Sequence, residues 1–86
     1  MTINDFIKKR PYLVWYTKNL EHLSEEAIVE SVLNFGDWND VKEMISILGI
    51  KRVAKIFRKQ TNPRKKRINY DSKIVNYFKL FFKKYA

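Results

Sequence analysis

The chain has 86 residues, no cysteine, 45% apolar and 15% aromatic residues, and a net charge of +9. These figures bound it to one small domain with a modest core, and they exclude a disulfide scaffold or a thiolate metal site. No apolar run approaches the roughly 18 residues of a membrane span, and Lys8, Lys9 and Arg10 interrupt any signal-peptide stretch, so a cytosolic protein is the expectation.

In chain order, residues 1–16 read as an N-terminal arm with an aromatic segment. A short helix is expected over Thr2 to Lys9, stopped before Pro11. Tyr12-Leu13-Val14-Trp15-Tyr16 fits either a short strand or one tight helical turn that plugs the core. Residues 24–60 read as the helical core. Ser24 is an N-cap, with Glu25 and Glu26 in the first turn, where the helix dipole favours negative charge. Ile28, Val32 and Phe35 form one stripe, and Gly36 fits a C′ stop. Asp37 caps a second helix, with Trp38, Val41, Ile45 and Leu48 at helical spacing, ending at Gly49.

A third helix is expected from about Lys51 to Lys59. Ile50, Val53 and Phe57 face inward, while Lys51, Lys55 and Arg58 recur outward with Arg52 and Lys59 beside them. Thr61-Asn62-Pro63 ends it, opening a basic turn over residues 61–70 that holds Arg64-Lys65-Lys66-Arg67. Residues 71–86 form the last helix, capped by Asp71, with Ile74, Phe78, Phe81 and Tyr85 as its stripe. The expectation is all-α: a compact bundle of four to five short helices in one domain over residues 1–86.

Charge is segregated along this chain. Met1 to Glu43 carries five Lys/Arg against eight Asp/Glu; Met44 to Ala86 carries thirteen Lys/Arg against Asp71 alone. Such polarity suits one end to polyanions and the other to a neutral or basic partner. Trp38 to Lys59 has the parts of a helix-turn-helix: two short helices, a glycine turn, and a second helix apolar inward and basic outward. An ordinary helical hairpin accounts for the same residues, and Lys55 and Ile45 stand where the motif usually has an apolar and a small residue. The candidate nucleic-acid contacts are Lys51, Arg52, Lys55, Arg58, Lys59, Arg64, Lys65, Lys66 and Arg67, whose cations neutralise phosphates and release counterions. Duplex DNA, RNA and an acidic protein surface all satisfy that chemistry.

The aromatic residues read mainly as core, with Tyr70 the ring best placed to stay exposed and stack on a base. Phe81, Phe82 and Tyr85 could leave an apolar strip for a second subunit or another protein. His22 reads as solvated. Glu26 with Glu30, and Asp40 with Glu43, could hold a weak Mg²⁺ ion, but capping and surface solvation explain them more simply. No phosphate loop, nucleophile–histidine set or zinc spacing is present, so neither an enzyme nor a cofactor or metal is expected.

The order of features from Tyr12 to Phe82 adds a resemblance. Leu13-Val14-Trp15 leads to Ile28-Val29-Glu30-Ser31-Val32-Leu33. Phe35-Gly36-Asp37-Trp38-Asn39-Asp40 follows, then a short helix closed by Leu48-Gly49, a basic helix, a polar turn and an aromatic helix. This order resembles a family of small uncharacterised prokaryotic proteins often encoded beside nucleotidyltransferase-type toxins. The resemblance implies an antitoxin or antitoxin-like protein that binds a toxin and its own promoter, and it carries no catalytic residues. The lysines at 79, 83 and 84 and the Lys8-Lys9-Arg10 run depart from the family's pattern. The expectation is therefore a non-enzymatic, DNA-binding protein of antitoxin type. The alternative is a protein-interaction module that docks an acidic partner without nucleic acid.

Overall fold

The computed structural model describes residues 2–14, 23–62, 68 and 70–86. Five α-helices fold around one hydrophobic cluster, with no strand among the described residues. The first, α1 (Ile3–Lys8), starts at a capping box: Thr2 Oγ1 accepts from the Asp5 amide and Asp5 accepts from the Thr2 amide. It buries Phe6 and Ile7 completely. Pro11–Leu13 is a single 3₁₀ turn, so the tight helical turn prevails over the strand for these residues. Leu13 and Val14 plug the core; Trp15, Tyr16 and His22 lie outside the described residues.

Helix α2 (Glu25–Phe35) is capped by Ser24, whose hydroxyl accepts from the Ala27 amide at 3.1 Å. Its buried stripe is Ile28, Val29, Val32 and Leu33. The next turn of that stripe falls on Gly36 rather than Phe35, and the expected core residue Phe35 is exposed. Gly36 ends the helix as expected. Its backbone is extended (φ −76°, ψ 156°), and a Cβ there would lie 2.7 Å from the Val32 carbonyl oxygen and 3.0 Å from Asp40 Cβ. Glycine is needed for that close approach to the next helix.

Helix α3 (Trp38–Leu48) begins with a second capping box, between Asp37 and Asp40. Val41 and Met44 are its buried centre; Ile45 and Leu48 are half-buried, and the expected core residue Trp38 is largely exposed, edge-on to Phe81 at 5.4 Å. Gly49 alone joins α3 to α4 (Ile50–Gln60), with φ +89°, a conformation other residues rarely adopt. A DNA-reading helix-turn-helix uses a three- to four-residue turn. This one-residue corner is tighter, and the possible helix-turn-helix is not confirmed.

Val53, Ala54, Ile56 and Phe57 bury the inner side of α4, and Thr61 ends the helix as expected. Asp71 caps α5 (Ser72–Tyr85) by accepting from the Lys73 amide at 2.8 Å. The stripe of α5 differs from expectation. Phe78 and Phe82 are buried, Phe81 is half-buried, and Tyr85 is exposed. Phe57 sets this phase: Phe78 and Phe82 stand one turn apart on α5 and both reach its ring, at 6.2 and 5.4 Å.

Tyr70 overturns the base-stacking expectation. It is only 8% exposed, its ring meets Phe57 at 5.4 Å, and its hydroxyl donates to Gln60 Oε1. Gln60 in turn donates to the Glu26 carbonyl at 2.7 Å, so one buried chain of hydrogen bonds links α2, α4 and the start of α5. Burial, helped by the charge of Glu30, pushes the Tyr70 phenol well above its ordinary range. A raised folded pKa gives stability that is complete below the unfolded value, about 10, and is lost as pH rises beyond it. The urea midpoint should therefore fall between pH 9 and 11 more steeply in the parent than in Tyr70→Phe, although the variant is the weaker protein at pH 8.

Candidate anion-binding face

The arc of α4 that Val53, Ala54, Ile56 and Phe57 do not occupy consists of Lys51, Arg52, Lys55, Arg58 and Lys59. Every exposed residue of α4 is thus Lys or Arg. These five positions share one solvent-facing side of one helix, as their spacing in the sequence implied. Arg64, Lys65, Lys66 and Arg67 lie outside the described residues.

The five cations do not share one environment. Arg52 donates to Glu25 Oε2 at 2.6 Å, an exposed pair of the kind that contributes about 0–1 kcal/mol. Glu25 and Glu26 also border, with Arg52, Lys55 and Lys59, a hollow of about 340 Å³ between α2 and α4. Acidic residues of the N-terminal half therefore screen this flank. Lys51 and Arg58 have no carboxylate partner among the described residues. Beyond Arg58, Lys79 and Lys83 of α5 continue the positive surface around a second groove. Sequence reasoning left these two lysines out of the site. The signal was present in their i, i+4 spacing beside Phe78 and Phe82, but only the phase of α5 brings them next to Arg58.

The remaining acidic residues differ from expectation. Asp40 was expected on an exposed face, yet it is 4% exposed. Its Oδ1 accepts from Arg10 Nε at 2.8 Å and from the Tyr12 hydroxyl at 2.9 Å. Arg10 also binds Glu43 and the Phe6 carbonyl, and its guanidinium lies 4.2 Å over the Phe6 ring. Burial alone would raise the Asp40 carboxyl, but Arg10, the Asp37 amide and Tyr12 outweigh it and hold the group below its ordinary value. Asp40 and Glu43 are thus held by Arg10, and among the described residues no three His, Asp or Glu side chains gather as metal ligands.

No protein-family model, curated protein or solved structure matches this chain. An arc of cations on one helix can neutralise a row of phosphates.

Proposed function

We propose that the chain is a non-catalytic nucleic-acid-binding protein, of antitoxin type, that holds duplex DNA through the outer face of α4. The supporting observation is that every exposed residue of α4 is Lys or Arg. Such a face contacts backbone phosphates and fixes position on the duplex, and one or two of its side chains can reach base edges. The basic run Arg64 to Arg67, outside the described residues, carries four further cations of the same chemistry. Binding of the intact chain to a short DNA duplex, followed from low to moderate salt, tests this. With about five phosphate contacts the log–log slope is near −4.5. A flat slope, or no binding at low salt, rejects the reading.

A second reading has its own observation. Tyr77, Leu80 and Tyr85 of α5 are exposed, and the Phe81 ring meets both Trp38 and Tyr85. An apolar strip among lysines suits an acidic protein partner, such as a toxin, docked without nucleic acid. In that case Leu80→Ser with Tyr85→Ser weakens partner capture, and DNA retention is absent from the start.

A further inference from the structure

Around α4, at about 100° per residue, the cations follow one another in the order Arg52, Lys59, Lys55, Lys51, Arg58. The two ends of that arc meet different neighbours. Arg52 and Lys59 lie toward α2, where they border Glu25 and Glu26. Lys51 and Arg58 form the other edge, and beyond it Arg58 borders Lys79 and Lys83 of α5. Packing fixes this second junction. The rings of Phe57 and Phe82, the residues just before Arg58 and Lys83, meet at 5.4 Å. Lys79 and Lys83 are exposed, stand one turn apart, and form no ion pair with a carboxylate among the described residues. From Ser72 to Ala86 the sequence holds no Asp or Glu. Solubility and the negative end of the helix dipole account for lysines near the end of α5. Neither accounts for setting two of them against Arg58, on the flank of α4 turned away from Glu25 and Glu26.

We infer that Lys79 and Lys83 hold a second row of phosphates, so that α4 and α5 together straddle a groove of a DNA duplex. This rests on the reading of α4 as the nucleic-acid face and names the form of polyanion that face takes. Lys51, Lys55 and Arg58 serve one strand; Lys79 and Lys83 serve the other. Packed helices lie about 8–10 Å apart, axis to axis. That spacing falls between the roughly 6 Å and 12 Å widths of the minor and major grooves. A duplex presents two phosphate rows across such a gap, whereas a single strand presents one. Single-strand sites also set exposed rings among their cations for bases to stack on. The rings at this junction, Phe57 and Phe82, are each 2% exposed and offer no such platform. The roughly five phosphate contacts are therefore three on α4 and two on α5. Arg52 and Lys59, beside the carboxylates of α2, contribute least.

The test compares binding of the full chain to a short DNA duplex and to one of its strands alone, across the same range of salt. Lys79→Ala with Lys83→Ala should weaken the duplex about 60-fold near 0.1 M salt. Its log–log slope should move from about −4.5 to about −2.7, at roughly 0.9 per lost contact. Affinity for the single strand, which lies on α4 alone, should fall by less than about fivefold. Lys73→Ala with Lys84→Ala removes the same charge from the outer side of α5, away from Arg58, and should leave the duplex slope within about 0.5 of the parent. Circular dichroism verifies the fold. If the alanine pair is unfolded, Lys79→Gln with Lys83→Gln serves in its place with the same expected slope. Three results overturn the inference while leaving DNA binding by α4 intact: the Lys79 and Lys83 variant keeps the parent's slope, the Lys73 and Lys84 variant moves it as far, or duplex and single strand lose affinity equally. A parent chain that binds no duplex at low salt overturns the reading of α4, and this inference with it.

Discussion

Arg10→Ala should lower stability by about 3 kcal/mol, which for a domain of this size is a fall in Tm of roughly 15 °C. Arg10 is the joint between the N-terminal arm and α3, reaching Asp40, Glu43 and the Phe6 carbonyl at once. Its loss strands the Asp40 carboxylate, whose side chain is 6% exposed, with only the Tyr12 hydroxyl and the Asp37 amide. Most of the penalty is that uncompensated buried charge rather than the worth of the pair itself. Arg10→Ala combined with Asp40→Asn should therefore recover at least half of the loss. Arg10→Lys should recover little, because a single ammonium cannot span three acceptors as a planar fork does. The pH dependence gives a second check. In the parent, Asp40 has a lowered folded pKa, so its contribution is present above the unfolded value of about 3.9 and is lost as pH falls through the folded one. In Arg10→Ala, burial dominates and the folded pKa rises, so that variant should be less impaired at pH 4 than at pH 7. An equal deficit at both pH values would show that Arg10 acts through packing on Phe6 and not through charge.

The local rules of the chain were legible wherever one residue type decides the outcome within four positions. Ser24, Asp37 and Asp71 cap the helices expected of them, Gly49 turns with a positive φ, and Thr61 closes α4 before the proline. The basic face of α4 was legible for the same reason: five cations fall on the arc that the apolar residues leave. What failed was the phase of helices whose apolar residues outnumber their buried positions. Helix α2 offers Phe35 and α5 offers Phe81 and Tyr85 in addition to what the core accepts, and only contact with Gly36 and Phe57 selects among them. Pairings across the fold left no local trace either. Arg10 and Asp40 are 30 residues apart, and Tyr70 finds Gln60 across a turn whose basic composition argued for exposure.

Removing Lys51, Lys55 and Arg58 together as alanines should weaken duplex binding on the order of 500-fold near 0.1 M salt and move the log–log slope from about −4.5 to about −2. The estimate follows from counterion release alone. Each lost phosphate contact subtracts roughly 0.9 from the slope, and at 0.1 M salt this is nearly a factor of ten in affinity. All three side chains are exposed on α4, so the variant should retain the parent's fold by circular dichroism. The screened flank sharpens the test. Arg52 is engaged by Glu25, so Arg52→Ala should cost less affinity than Lys51→Ala. Glu25→Gln should raise affinity, because it releases a guanidinium to the phosphates and removes a carboxylate from the same flank. Losses that are equal on all duplex sequences mark phosphate contacts; a loss confined to one sequence marks a side chain at a base edge. If the triple variant keeps the parent's slope, α4 does not face the polyanion. The same holds if Glu25→Gln weakens binding, and the charge on this helix then serves another purpose.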